Sequence, residues 1–256
     1  MTPSTTHTQR QVVLIVDACS DANPLVDLAV DLVVEMTADG ETHLQGLFIE
    51  DEDLLSAADL PCSQEIFHHS ALQRETSREQ VLEILRRQSE RFHRYLKQEA
   101  EASQLQWSSA NRSGQSSFPQ VFIESTASCH ILARPISRHV RLTESRVHRI
   151  VLLEGASPFL LQALQVVIRQ IQAHRVEVIL IGKQGQTADD PSMLPLVRSW
   201  QKDFPLLSVK EYPRGQLMAL LTEPPSCDYV LLSSEEPEDI QRAVRTSLGC
   251  PIVLVS

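Results

Sequence analysis

Glycine is scarce in this chain: 8 of 256 residues, about 3%, against a usual ~7%. A backbone that wraps closely around phosphate groups needs glycine where it approaches them, so the shortage argues against a glycine-rich phosphate cradle. Basic charge is also short. There are 23 Lys and Arg against 33 Asp and Glu, a formal net charge of -10. Nucleic-acid affinity comes largely from neutralising phosphates, so DNA and RNA are poor candidates as partners. Long apolar runs are missing as well. The longest candidate, residues 25–36, is broken by Asp27, Asp31 and Glu35 and falls short of the ~20 residues of a membrane span. The polar first ten residues contain no secretory apolar core, so a cytoplasmic location is expected. Five cysteines (Cys19, Cys62, Cys129, Cys227, Cys250) are odd in number, widely spaced and without a Cys-x-x-Cys pair. That usage predicts reduced thiols of a cytosolic protein.

What is present fits a soluble globular protein: 42% hydrophobic and 22% charged residues, with a mean hydropathy of -0.13. The charge is unevenly spread. Residues 1–128 hold 9 bases and 20 acids, and residues 129–256 hold 14 and 13. Arg134, Arg138, Arg141, Arg146 and Arg149 cluster near the midpoint with His139 and His148. Such a cluster can grip an anion, but neutralising the acidic half across the junction is the simpler expectation.

Hydrophobic periodicity supplies the organisation. Val12 to Val16 form a short β-branched run ending at Asp17, the pattern of a strand buried on both faces. Leu25, Leu28, Ala29, Leu32 and Val33 then recur at helical spacing, and residues 43–49 predict a second strand. Residues 75–102 predict a long helix with Leu82, Leu85, Phe92 and Leu96 on one stripe, Ser89 as its polar gap, and Glu83–Arg87 and Glu90–Arg94 as i,i+4 pairs. A strand over 105–112, a short helix over 118–125 and a strand over 129–133 follow. The second half repeats the scheme. Strands are expected at 148–153, 176–181, 207–212, 229–232 and 252–255, and helices at 159–173, 193–204, 216–221 and 237–248.

Val13 to Ala18 align with Ile150 to Gly155, and Ser128 to Leu132 align with Ser226 to Val230, at offsets of 137 and 98. Alternating strands and helices require parallel strands with crossovers. The expected fold class is therefore α/β, two tandem flavodoxin-like domains with parallel sheets over 11–144 and 145–256. Only 14 residues separate Ala133 from His148, so the first domain is expected to be truncated after its fourth strand, with 139–142 as a vestige of the fifth.

Several stretches carry a family resemblance: the opening strand ending in Asp17, Leu47-Phe48-Ile49-Glu50-Asp51-Glu52-Asp53-Leu54-Leu55, Ala58-Asp59-Leu60-Pro61 with the charged helix after it, and the closing Gly249-Cys250-Pro251-Ile252-Val253-Leu254-Val255. The chain resembles the universal stress protein superfamily in its tandem two-domain form. That resemblance implies a five-stranded parallel sheet per domain, frequent dimerisation and, in some members, ATP binding. It would place a nucleoside base or ribose against Asp17, with Phe48 and Ile49 lining the pocket. ATP-binding members hold the phosphates on a glycine-rich stretch after strand four. Here the corresponding stretches are Arg134-Pro135-Ile136-Ser137-Arg138 and Ser233-Ser234-Glu235-Glu236-Pro237, so no cofactor is expected. Asp17 can equally cap its own turn.

Other motifs weigh against catalysis and metal binding. Gly155-Ala156-Ser157 hints at a nucleophile elbow, but Pro158 cannot donate the backbone N–H an oxyanion needs. Glu65–His68 and Glu90–His93 have a di-iron spacing without the facing glutamates. Glu50 to Asp53 reads as a solvated acidic loop, lacking the glycine and distal Glu of a calcium loop. Gly182-Lys183-Gln184-Gly185 reverses the order of a phosphate loop and reads as a turn. No catalytic or metal residue is expected. The functional expectation is a non-catalytic stress-response protein acting through association with a protein partner of unknown identity. The alternative is a nucleotide or small-ligand sensor using the Asp17 crevice. The apolar last strand, 252–255, would be an uncovered edge that invites pairing. An intramolecular pseudo-dimer is expected, with homodimerisation through other surfaces as a further option.

Overall fold

The computed structural model describes residues 10–37, 41–60, 64–66, 73–75, 77–114, 127–133, 147–155, 157, 159–171, 174–182, 193–222, 227–247 and 250–256. The expected helix at 118–125, the vestigial strand at 139–142, Cys62, His68, Lys183 and the arginines at 134–146 lie outside these residues. The chain runs β1 (Arg10–Asp17), α1 (Ala22–Thr37), β2 (Thr42–Asp51), α2 (Glu52–Ala58), a small antiparallel pair β3 (Gln64–Ile66) and β4 (Gln73–Glu75), α3 (Arg78–Ala102), β5 (Gln106–Gly114) and β6 (Cys129–Leu132). It continues with β7 (Val147–Leu153), α4 (Phe159–Ile171), β8 (Arg175–Ile181), α5 (Leu194–Ser199), β9 (Leu207–Tyr212), α6 (Leu217–Thr222), β10 (Tyr229–Ser233), α7 (Glu238–Ser247) and β11 (Ile252–Val255).

Nine strands form one sheet in the order β5-β2-β1-β6-β11-β10-β7-β8-β9. The fold is α/β, and every pairing in this sheet is parallel except one. That exception joins the halves: β11 runs antiparallel to β6, with Val253 opposite Ile131 and Leu254 opposite His130. On its other side β11 pairs in parallel with β10, Leu231 opposite Val253. Ser256 N–H extends the seam by donating to the Ser128 carbonyl at 2.9 Å. Residues 10–133 thus supply four strands to this sheet and residues 147–255 five, and β11 stands where a fifth strand of the first half would pair with β6. All four of its residues are apolar and buried on both faces, which an edge strand could not sustain.

Period-2 alternation along the central strands divides the core. Val12, Leu14 and Val16 face a layer built from α1, α3 and α4, while Val13 and Ile15 join a second cluster with Leu232, Val244 and Ile252 on the opposite face. Helix α1 is buried over a wide arc that includes Val26 and Val30 as well as the expected stripe, because α3 and α4 flank it on both sides. Polar contacts fix these neighbours. Tyr95 Oη donates to Asp27 at 2.8 Å, Arg169 meets Glu35 at 3.0 Å and Gln170 donates to Asp31 at 3.2 Å. The Asp27 hydrogen bond, helped by burial, pushes the Tyr95 phenol up to about 12. On α3, the Ser77–Gln80 capping box opens the helix. The close approach of α3 to β2 depends on Gly46, where an added Cβ would lie 2.3 Å from Leu96 Cδ2 and 2.9 Å from Phe92 Cζ.

Several local expectations need correction. Leu82 is 43% exposed and lies outside the buried stripe, which is Leu85, Ser89, Phe92, Leu96 and Ala100. Ser89 is tolerated there because its hydroxyl donates to Asn111 Oδ1 at 2.8 Å. Glu90 pairs backwards with Arg86 at 3.1 Å instead of forwards with Arg94. Glu50 to Asp53 is no loop: Asp51 ends β2 and caps α2 by accepting the Asp53 N–H at 2.9 Å. Glu52 and Asp53 then fill the first helical turn, where negative charge suits the macrodipole. Residues 200–204 of the expected fifth helix unwind into a 3-10 turn, Trp200–Lys202, and its exit.

Candidate functional site

In open α/β sheets the crevice lies at the carboxyl ends of strands, where the strand order reverses. In the first half that point falls between β1 and β6, at Asp17. The carboxylate is buried and committed locally. Its Oδ1 accepts the Cys19 N–H at 2.9 Å and the Ser20 hydroxyl at 2.6 Å, the turn-capping role. Beside it opens a crevice of about 80 Å³ walled by Asp17, Asp21, Phe48, Gln88, Arg91 and Phe92. A ligand pocket ordinarily holds ~300 Å³ or more. Phe48 is one wall of this crevice, and Ile49 does not line it. Neighbouring strand residues point to opposite faces, and Ile49 belongs to the other core cluster with Val13 and Ile15.

The wall residues Gln88, Arg91 and Phe92 come from α3 and were not anticipated. Their i, i+3, i+4 spacing was readable as one helix face; that this face stands beside the carboxyl end of β1 was not. A polar cluster continues along that side. Asn111 accepts from Ser89, contacts His93 Nε2 at 2.7 Å and donates to Glu50 at 2.8 Å. His93 is thereby tied to an amide, and Glu90, which shares its Glu-x-x-His spacing, to Arg86. Among the described residues no group of three or more His, Cys, Asp and Glu side chains could hold a metal ion.

In the second half the corresponding point lies between β7 and β10, at Glu154. Here described groups of the chain approach one another closely. The buried Glu154 accepts the Met193 N–H through Oε1 at 2.8 Å. An added Cβ on Gly155 would fall 2.6 Å from Ser233 Cβ, so the two strand ends touch. Ser157, the residue in the elbow-like motif, is buried and donates its hydroxyl to the Ser256 carbonyl at 3.0 Å. The acidic stretch after β10 is partly neutralised, since Glu236 pairs with Arg214 and Glu238 with Arg242.

Arg149 departs from the expected role of the arginine cluster. It meets Glu177 at 2.8 Å within the second half, and Lys210 reaches the same carboxylate at 2.6 Å. Burial opposes ionisation of Glu177, but the hydrogen bonds from Lys210 and Arg149 outweigh it and hold the carboxyl below its ordinary value of 4.5. A depressed folded-state value adds stability above the unfolded value, and that stability is lost as pH falls through the folded one. Glu177→Gln is accordingly expected to melt lower than the parent at pH 7. The gap should narrow as pH falls below about 4.3, a trend that melts at stepped pH measure directly. A gap that stays constant down to the acid limit would contradict this role.

Comparison of the sequence with protein-family models and with curated proteins finds no match. Solved structures with a similar course of chain include a universal stress protein from Archaeoglobus fulgidus at 11% identity and a TM-score of 0.38, covering 95% of this chain and 96% of that one. The cytoplasmic domain of a prokaryotic cation chloride cotransporter is similar at 11% identity and a TM-score of 0.38, covering 96% and 95%. A functionally unknown protein from Pseudomonas aeruginosa follows at 9% and 0.36, covering 97% and 92%. No helix among the described residues is long and apolar enough to cross a membrane.

Proposed function

We propose that this chain is a tandem universal stress-type protein, with domains over 11–144 and 145–256, that acts in stress response by associating with a protein partner and not by catalysis. The observation that carries this reading is that the described acidic groups at both strand ends are bonded to the chain itself. Asp17 is spent on Cys19 and Ser20, Glu154 on Met193, and Gly155 on the approach to Ser233. Among the described residues the crevice beside Asp17 holds about 80 Å³, below the ~300 Å³ of an ordinary ligand pocket. The joining of the halves through β6 and β11 supports an intramolecular pseudo-dimer whose shared sheet ends at β5 and β9.

A second reading, a small-ligand sensor, rests on one feature: Arg91 and Gln88 stand in the same crevice wall as Asp17. Thermal melts with millimolar ATP separate the two. A ligand at 100 times its dissociation constant stabilises by about 2.7 kcal/mol, which in a chain of this size reads as a shift of several degrees. No shift is expected. A rise that Asp17→Ala abolishes would replace the association reading with the sensor.

A further inference from the structure

Cys227 and Cys250 stand at the amino ends of β10 and β11, two strands paired in parallel with Val230 opposite Ile252. Their sulfur atoms are 3.0 Å apart. The register sets Cys227 one residue off the position opposite Cys250, and the two side chains meet across that diagonal. The two thiols are unequal. Cys227 is partly exposed and Cys250 is buried. The hydrogen bond between the two thiols holds Cys227 below its ordinary value against burial and the nearby Asp228 charge, and Arg149 adds to the lowering. A partly exposed, thiolate-prone sulfur beside a second thiol is the arrangement of an attacking and a resolving cysteine. Cys129, across the seam on β6, is the contrast: complete burial pushes its thiol up to about 12 and leaves it inert.

We propose that Cys227 and Cys250 form a reversible dithiol–disulfide couple, oxidised by hydrogen peroxide, that locks the strand joining the two halves to β10. The Cys227 thiolate attacks one peroxide oxygen, the O–O bond breaks, and hydroxide leaves with the thiol's former proton as water. Cys250 sulfur then attacks the sulfenic sulfur of Cys227, and the S–O bond breaks. That hydroxide takes the Cys250 proton as a second water. Two thiols lose two electrons and the peroxide is reduced to two waters. A small thiol reverses the reaction by exchange. The closed loop spans α7 and constrains the unfolded chain, so the oxidised form should be the more stable.

The full-length reduced protein treated with hydrogen peroxide tests this. Expected are the loss of two hydrogens by intact mass, a Cys227–Cys250 cross-linked peptide, and a melting temperature raised by several degrees and restored by dithiothreitol. In Cys250→Ser, Cys227 should stop at the sulfenic acid, trapped by dimedone, with no rise in melting temperature. Should that variant fail to fold, Cys227→Ser should leave Cys250 reduced over the same exposure. Cys227 and Cys250 that both still alkylate after peroxide treatment would overturn the proposal. So would a cross-link that leaves the melting temperature unchanged or lower.

Discussion

Val253→Asp is expected to unfold the chain, not merely to separate subunits. Val253 is fully buried in the middle of β11, with Leu231 of β10 on one side and Ile131 of β6 on the other. A carboxylate there has no cationic partner among the residues opposite it, and an uncompensated buried charge costs several kcal/mol. A loss above about 4 kcal/mol is a large part of the ~5–15 kcal/mol that holds a folded domain together. Because β11 completes the sheet of both halves, circular dichroism should show both lost together. A well-folded variant whose only change is a shift from dimer to monomer by light scattering would refute intramolecular pairing. Val253→Thr keeps the shape and should fall between the two, folded but less stable.

Phe92→Ala is expected to cost about 3–5 kcal/mol by opening a cavity between α3 and β2. The Phe92 ring is 2% exposed and packs on Gly46, where no Cβ intervenes, and against Phe48 at 6.2 Å between centroids. Urea unfolding should show a lower midpoint with an unchanged slope. A loss under about 1 kcal/mol would mean that α3 is held by its surface contacts to α1, the Tyr95–Asp27 hydrogen bond among them, and not by this core.

The strands were the most legible part of the sequence, and the reason is local. Val12 to Val16, Ile150 to Leu153 and Ile252 to Val255 are dense β-branched and Leu runs, and the sheet buries them on both faces. That 252–255 needed a neighbour on each side was legible from its uniform apolarity. The antiparallel sense and the register against Cys129–Leu132 were not, since neither leaves a mark within four residues. The long helix was legible in its stripe but not at Leu82, whose burial depends on how far β2 and β5 extend beneath it. At the site, Asp17 was placed by its position at a strand end. Ile49 was misplaced because a resemblance transfers a sequence neighbour without its face, and strand alternation decides the face. Met193, which accepts no charge and carries no motif, met Glu154 through its backbone N–H; no side-chain pattern announces such a contact. The Cys227–Cys250 pair was invisible for a similar reason: 22 residues lie between two positions that parallel pairing makes neighbours.

The sharing of β11 between the two halves is tested most directly by amide hydrogen exchange of the intact chain over a dilution series. Each β11 amide points to β10 or to β6, so Ile252–Val255 and Cys129–Leu132 should be among the slowest to exchange. They should open together with the global unfolding of the chain, at rates that do not change with protein concentration. Fast exchange confined to β11, or protection that disappears on dilution, would show that the strand is an open edge or pairs between molecules, and would contradict the shared-strand account.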